Sequence, residues 1–237
     1  MASGFQLTSS VVEEIQNFAQ TTPCYGDRRK NLGFYYADRQ QAEHLAERVF
    51  SVGHFFNVPL RCPAVEQLGK DPLLLAIATE YLQGPSVHQG SQLWWTFAKP
   101  SVADSPKGVS GQAFHYDLDD SHSIKFFFYL SDVDCHSGAH VYFRGSHLCK
   151  QGTHQWKRRG ISETELTRMY GADTRVAVEG KAGYGFVEDT YCFHRGTPCF
   201  GSDRLLLTVQ FALRDYDMQN SMVDPGRLSL IPGYEVN

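Results

Sequence analysis

The sequence lacks the features that mark a secreted, membrane-spanning or nucleic-acid-binding protein. Its N-terminal stretch has no basic region followed by an apolar run, so we expect no secretory signal peptide. No apolar run approaches the ~18 residues that a membrane-spanning helix needs. The formal net charge of -4 gives no electrostatic attraction to nucleic acid or to an anionic membrane. We therefore expect a cytoplasmic protein with no nucleic-acid or membrane partner.

Paired cysteines and repeats are also missing. The 6 cysteines show no Cys-x-x-Cys spacing, and in a chain of this length without a signal we expect free thiols. We find no internal repeat, low-complexity tract or linker. A chain of 237 residues fits one domain of the barrel or sandwich type.

What the sequence does contain is a helical part followed by a strand-rich part. Helical spacing predicts helices over about residues 10–20, from Asp38 to an end at Gly53, and over about 72–83. From residue 86 onward, aromatic and β-branched runs predict seven or eight strands. Helices first and strands afterwards predict a mostly β protein with covering helices, built on a double-stranded β-helix (a cupin-like jelly roll).

This pattern suggests a division of one domain, residues 1–237, into regions. Residues 1–85 are expected to form mainly helical cover, residues 86–214 the jelly-roll core, and residues 215–237 a tail. An insertion at 148–172 interrupts the strands, and a capping box at Ser162 predicts a short helix inside it. Long segments of this kind are usually lids or mobile loops, so we expect the insertion to border the mouth of a site.

The triplet His115-Tyr116-Asp117 is the first candidate for chemistry. On a strand, residues two apart point to the same face, so the imidazole and the carboxylate would lie side by side, and Tyr116 would point away. That pair can supply two of the three protein ligands of a non-haem iron site, which needs a second histidine. The alternative is a surface histidine beside an acid, because His-x-Asp is a weak motif on its own.

Three histidines are candidates for the third ligand: His140, His147 and His194. Arg204, ten residues after His194, opens the clearest strand of the chain. On that strand Arg204 shares a face with Thr208, opposite a wholly apolar face, which suggests a polar-lined cavity where an arginine can bind a carboxylate. The alternatives are a solvent-exposed charge at a strand end, or a pairing of His147 with Arg158, which has no strand pattern around it.

Taken together, these segments resemble the phytanoyl-CoA dioxygenase family of iron(II)/2-oxoglutarate oxygenases. His115-x-Asp117 matches the family's proximal pair. The run YLSDVDCHSGAHVYFRGSH resembles the segment that follows it, and GKAGYGFVEDTYCFHRG resembles the run into the distal histidine, which falls on His194. Arg204 falls on the arginine that holds the far carboxylate of 2-oxoglutarate. The resemblance covers roughly residues 86–214.

The resemblance implies a set of cofactors and residue roles. Fe(II) would be bound by His115, Asp117 and His194, with 2-oxoglutarate and O2 as cosubstrates and Arg204 as the anchor. The expected reaction is hydroxylation of a C–H bond of a small-molecule metabolite, with release of succinate and CO2. Many members carry a small hydroxyl residue two positions beyond these anchors, where this chain has Gly196 and Leu206. The nearby Thr197 and Thr208 are therefore the expected additional contacts to 2-oxoglutarate.

Other outcomes on the same scaffold stay open at this point. The same centre could serve desaturation, cyclisation or epimerisation, because fold and ligands do not fix a reaction. Halogenation is disfavoured because it usually needs the carboxylate ligand to be absent, and Asp117 is present. The alternative from another class is a cupin-like protein that binds a metal or ligand without catalysis. The resemblance fixes neither the substrate nor the oligomeric state.

Overall fold

The computed structural model describes residues 4–99, 113–118, 122–150, 152–215 and 221–235. The run at 101–111 is polar and contains proline and glycine, which predicts a loop. That run, the pair Asp119 and Asp120 that follows the His115–Asp117 segment, and part of the tail lie outside the described residues.

Two antiparallel sheets form the body of the described structure. The strands are β1 Phe5–Gln6, β2 Cys24–Gly26, β3 Gly33–Phe34, β4 Val52–Phe55, β5 Val87–Thr96, β6 Phe114–His115, β7 Ser123–Tyr129, β8 His140–Phe143, β9 Arg159–Ile161, β10 Arg175–Val178, β11 Tyr184–Glu188, β12 His194–Gly196 and β13 Arg204–Ala212. The major sheet has the strand order β1-β11-β7-β13-β5-β4-β2-β3, and the minor sheet has the order β10-β8-β12-β6-β9. This mostly β, double-stranded β-helix architecture confirms the predicted fold class.

Helices cover the outer face of the major sheet. They are α1 Ser9–Thr21, α2 Arg39–Leu45, α3 Val58–Arg61, α4 Pro63–Leu68 and α5 Pro72–Leu82. A sixth helix, α6 Glu163–Tyr170, lies in the insertion and packs against the minor sheet. At the start of α5 the Asp71 carboxylate accepts bonds from the amides of Leu73 and Leu74, and Pro72 occupies the first turn, where a missing N–H costs nothing. None of the described helices is long and apolar enough to cross a membrane.

Strands β7 and β13 are buried on both faces, which explains their apolar sequences. Alternate residues of each strand serve different clusters. Phe128 and Leu207 pack against the helices in what we call the outer cluster, whereas Phe127 and Leu206 lie in the inner cluster between the sheets. Burying one such phenylalanine stabilises the fold by ~1.5–3 kcal/mol, and a Phe128→Ala change would cost ~3–5 kcal/mol because it also leaves a cavity.

The structure differs from the sequence prediction in the middle of the helical region. The helix expected to run from Asp38 to Gly53 ends at Leu45, and Gly53 lies in strand β4. A Cβ at Gly53 would come within 2.8 Å of Cys24 Sγ and of the Phe97 ring, so the residue is glycine because of close packing and not because it ends a helix. Strands β2, β3 and β4 extend the major sheet into the region that was expected to be mainly helical.

The insertion at 148–172 is built into the minor sheet. Its strand β9 pairs with β6, and its predicted helix α6 is present, with Ser162 Oγ accepting the Glu165 amide at 3.1 Å. Ile161 and Leu166 are buried with Phe114 on the side of the minor sheet away from the major sheet, in the back cluster. Sheet pairing fixes β9 at the edge of the minor sheet beside β6, and burial of Leu166 fixes α6 against the back cluster. That the insertion borders the mouth of a site stays a prediction.

Candidate metal centre

Strand pairing brings His115, Asp117 and His194 together. His194 on β12 lies directly opposite His115 on β6, and Asp117 follows two residues after His115. His115 Nε2 lies 3.9 Å from Asp117 Oδ1, and His194 Nε2 lies 4.0 Å from Asp117 Oδ2. One potential ligand atom from each residue can be chosen so that all three lie within 4.8 Å of one another. Of the histidines weighed from sequence, His194 is the one that joins the His-x-Asp pair in this group.

Both histidines present the same nitrogen to this group. His115 Nδ1 is hydrogen-bonded to the Ala113 carbonyl at 2.9 Å, and His194 Nδ1 is bonded to the Cys192 carbonyl at 3.0 Å. A carbonyl only accepts, so each Nδ1 carries a proton and Nε2 is the nitrogen left to bind a metal. Metal-binding histidines are commonly oriented by a hydrogen bond of this kind.

Asp117 is held as a carboxylate. Its amide donates to the Thr190 carbonyl at 2.8 Å, and its Oδ2 accepts from Lys125 Nζ at 2.6 Å. Burial acts to raise the pKa of Asp117, but the Lys125 ammonium and the histidines outweigh it and hold the pKa below its usual value. The group is therefore ionised at neutral pH, which is the form that binds a cation.

His194 is kept neutral by its surroundings. Burial lowers its pKa to about 4, so the imidazole is unprotonated at neutral pH. Glu188 Oε1 lies 3.7 Å from His194 Nδ1, and Glu188 Oε2 is hydrogen-bonded to His140 Nε2 at 2.5 Å. Burial raises the pKa of Glu188 and lowers that of His140.

The other two candidate histidines are engaged elsewhere. The His140 ring stacks on the His194 ring with centroids 5.4 Å apart, but its Nε2 is bonded to Glu188. His147 Nδ1 lies 3.0 Å from Cys192 Sγ. Arg158, which would be the anchor if His147 were the third ligand, donates from Nε to the Tyr116 carbonyl.

Arg204 is buried at the edge of the space between the sheets, with 5 % of its surface exposed. Its Nη1 donates to the Gly138 carbonyl and its Nη2 to Thr96 Oγ1 at 3.1 Å, while its buried Nε has no partner among the described residues. A Cβ at Gly196 would lie 3.2 Å from both Nη atoms. The guanidinium therefore occupies the space that a side chain at this position would fill, which gives a physical reason for glycine here.

The two threonines are placed differently. Thr197 Oγ1 donates to the Ala139 carbonyl at 3.0 Å, which ties β12 to the start of β8. Thr208 is buried on the same face of β13 as Arg204. Sequence reasoning overlooked Lys125, although a lysine inside the run Ile-Lys-Phe-Phe-Phe is a signal, because an ammonium in a buried strand needs a partner.

Contacts in the back cluster also hold the segments that carry the three candidate ligands. Tyr116 points away from the two ligands beside it, as expected, and its hydroxyl donates to the carbonyls of His154 and Gln155. Lys150 Nζ lies 4.3, 4.4 and 4.0 Å from the rings of Tyr116, Tyr191 and Phe193, an arrangement we call the lysine cage. Burial lowers the Lys150 pKa to about 8. The cage joins the segment of His115 and Asp117 to the segment of His194.

The donor set fits a non-haem ferrous ion. Two imidazole nitrogens and one carboxylate, converging from one side, are the protein ligands of such sites. The hydrogen bonds to both Nδ1 atoms supply the outer support that these ligands need.

Comparisons with known proteins identify the family and the fold of this chain. The sequence model of the family described as Phytanoyl-CoA dioxygenase (PhyH) matches residues 6–204. No match to a curated protein was found.

Solved structures share the fold at low sequence identity. The non-haem α-ketoglutarate-dependent epimerase SnoN, from nogalamycin biosynthesis, has a TM-score of 0.61 at 15% identity, covering 88% of this chain and 76% of that one. AviO1 from Streptomyces viridochromogenes Tue57 has a TM-score of 0.52 at 17% identity, with 89% and 88% covered. EctD from S. alaskensis, solved with 2-oxoglutarate and 5-hydroxyectoine, has a TM-score of 0.52 at 16% identity, with 89% and 72% covered.

Proposed function

The chain belongs to the phytanoyl-CoA dioxygenase family of iron(II)/2-oxoglutarate-dependent oxygenases, and from this premise we propose which residues hold the cofactors and what reaction they serve. The observation that carries the proposal is the convergence of His115, Asp117 and His194, with both histidine tautomers fixed by backbone carbonyls. We propose these three residues as the iron ligands.

Arg204 is the proposed anchor for the far carboxylate of 2-oxoglutarate. A guanidinium has five N–H donors in a planar fork that matches a carboxylate. Two nitrogens of Arg204 each have one partner in the protein, and its buried Nε has none among the described residues. Thr208, on the same face of β13, is the proposed neighbouring hydroxyl contact, and Thr197 is a weaker candidate because its hydroxyl donates to the Ala139 carbonyl.

The proposed reaction is hydroxylation of a C–H bond of a small molecule. When bound, ferrous iron supplies the activation of O2 that couples decarboxylation of 2-oxoglutarate, giving succinate and CO2, to insertion of one oxygen atom into the substrate. The protein's part is to hold His115, neutral His194 and ionised Asp117 on one side of the site. Buried aromatic side chains of the inner cluster limit the access of water.

The reaction outcome is a separate question from the centre. SnoN is named an epimerase, and EctD was solved with a hydroxylated ectoine, so enzymes of this fold reach different products. The presence of Asp117 argues against halogenation. We propose hydroxylation as the main outcome, which product analysis distinguishes from desaturation, cyclisation or epimerisation by a mass gain of one oxygen atom.

The first test is binding in the absence of O2. Mn(II) replaces iron, and calorimetry should show one metal per chain and 2-oxoglutarate binding that depends on the metal. Both ligands should raise the melting temperature, since they bind the native state. With Fe(II), ascorbate and O2, slow conversion of 2-oxoglutarate to succinate without substrate should follow. His194→Ala is the matched control and should lose metal binding, whereas His147→Ala should keep it. Failure of the wild-type protein to bind both the metal and 2-oxoglutarate would refute the proposed enzyme function.

A further inference from the structure

Four buried polar side chains form a row across the inner face of the major sheet. They come from four neighbouring strands: Glu188 on β11, Lys125 on β7, Gln210 on β13 and Gln89 on β5. Glu188 pairs directly with Lys125, and Lys125 with Gln210, while the Gln210 amide nitrogen donates to Gln89 Oε1. We call these residues the polar row.

The polar row and Arg204 lie at opposite ends of the candidate centre. Arg204 and Gln210 share a face of β13 and are six positions apart, which is about 20 Å along a strand. Asp117 contacts Lys125 of the polar row, whereas Gly196, two residues after His194, lies against the Arg204 guanidinium. The three proposed ligands therefore lie between the two ends. If 2-oxoglutarate extends from the metal toward Arg204, the substrate must bind on the opposite side of the metal, where the polar row lies. This step rests on the proposed function.

A bulge in β5 puts Gln89 on this face. The register shifts so that Gln210 pairs with Gly90 but Phe211 pairs with His88, leaving Gln89 as the extra residue. Strict alternation would place Gln89 on the helix-covered face with Leu93, which belongs to the outer cluster. Instead the ring of His88 packs against Phe211 on that face, and Gln89 bonds Gln210 between the sheets. Bulges next to active sites often serve to redirect one side chain in this way.

The charged members of the polar row have partners within the protein. Lys125 Nζ is bonded to Asp117, and Glu188 Oε2 to His140. Gln89 differs, because it is 3% exposed and its Nε2 has no hydrogen-bond partner among the described residues. A buried donor left unpaired costs ~1–3 kcal/mol, which an acceptor oxygen from a ligand would offset.

We propose that the polar row is the substrate-recognition surface, and that Gln89 Nε2 donates a hydrogen bond to a hydroxyl or carbonyl oxygen of a neutral, polar small molecule. Gln210 orients Gln89 by donating to its Oε1, so the free donor points away from β13. A hydrocarbon chain fits this surface poorly, because it would cover the Gln89 donor without supplying an acceptor. The substrate class is thus a hydroxylated or amide-bearing metabolite, in contrast to the long acyl chain of the family's namesake substrate.

The test uses full-length protein loaded with diamagnetic Zn(II) and 2-oxoglutarate. Two probe sets of similar size are compared by saturation-transfer NMR: cyclic polyols with N-acetylated amino sugars, and medium-chain n-alkanols. We expect the polar set to bind in the millimolar range and to shift the Gln89 side-chain amide resonances. Binding only by the alkanols, or no binding by any polar probe, would overturn the proposal.

Three variants separate recognition from folding. Gln89→Met removes the donor at similar size, and Gln89→Glu keeps the acceptor for Gln210 but replaces the free donor with an oxygen. Both should weaken polar-probe binding at least ~10-fold, equal to ~1.4 kcal/mol, with affinity for zinc and 2-oxoglutarate unchanged. Gln67→Met, at an exposed position on α4, is the matched control and should bind like wild type.

Failure of the Gln89 proposal can be distinguished from failure of the proposed function. Unchanged polar-probe binding in both Gln89 variants would refute the role of Gln89 while leaving the cofactor assignments intact. Loss of zinc or 2-oxoglutarate binding in the wild-type protein would instead refute the proposed function, on which this inference depends.

Discussion

Replacing Arg204 with alanine tests the orientation of the whole site. The side chain is buried, and its two Nη atoms donate to the Gly138 carbonyl and Thr96 Oγ1. Three of its five N–H donors remain beyond these two bonds, including the one on the buried Nε. The arginine therefore has enough donors left for a two-point contact with a carboxylate.

The expected loss follows from that contact. A hydrogen bond to a charged group contributes ~1.5–3 kcal/mol, and two of them, less the cost of desolvation, give ~2–4 kcal/mol. The Kd for 2-oxoglutarate should rise ~30- to 1000-fold in Arg204→Ala. Arg204→Lys keeps the charge but not the planar fork, so its loss should be smaller, about 10-fold.

Anaerobic calorimetry with Mn(II)-loaded protein measures both ligands in one experiment. Metal affinity should stay within a few-fold of wild type, since Arg204 does not contact the three proposed ligands in the described structure. Arg158→Ala serves as the comparison, because Arg158 was the rival anchor in the sequence. Nearly unchanged 2-oxoglutarate binding in Arg204→Ala, together with a large loss in Arg158→Ala, would refute the reasoning.

Three further changes have defined outcomes. Asp117→Ala should weaken metal binding and lower product formation at least ~100-fold even when the iron content is restored. Asp119→Ala is the control and should stay active. The opposite result would mean that Asp119, and not Asp117, is the carboxylate ligand. Lys150→Met removes the ammonium of the lysine cage, and Tyr116→Phe removes one hydroxyl. Each of these two changes should lower the unfolding free energy by ~1 kcal/mol and weaken Mn(II) binding severalfold. Unchanged metal affinity in both variants would show that the lysine cage does not position the ligands. Burial lowers the pKa of His54 to about 3 from 6.5, so the unfolded chain binds a proton that the folded chain excludes between these values. Stability should therefore fall as the pH drops below 6.5, by up to ~1.4 kcal/mol per pH unit for this group, and His54→Gln should make the fall measured by urea unfolding shallower.

The fold and the candidate metal ligands could be predicted from the sequence for a physical reason. Long strands buried on two faces, such as β7 and β13, need continuous or strictly alternating apolar residues, and these patterns are visible without coordinates. The spacing of His115 and Asp117 places two side chains on one face by alternation alone. His194 needed the family resemblance, because β12 is too short to show a strand pattern.

The features that sequence reasoning missed depend on contacts between distant segments. The bulge at Gln89 exists only in relation to β13, and Gly90 is its one local sign in Val-His-Gln-Gly-Ser, because glycine inside a strand often marks a bulge. Sequence reasoning predicted a helix but no strand in the insertion, yet Arg159–Ile161 forms an edge strand because β6 offers it a free edge. Lys125 and Glu188 lie 63 positions apart in the chain and meet only through the pairing of β7 with β11.

The two histidine–carbonyl bonds bear on how this protein can evolve. Each imidazole is oriented by the carbonyl of the residue two positions earlier in its own chain segment, Ala113 for His115 and Cys192 for His194. Backbone carbonyls are present whatever side chain a mutation introduces. Substitutions across the inner face can therefore explore new substrates without changing the atoms that orient the ligands. A lineage that carries this arrangement can vary which substrate it recognises while inheriting the same proposed metal ligands.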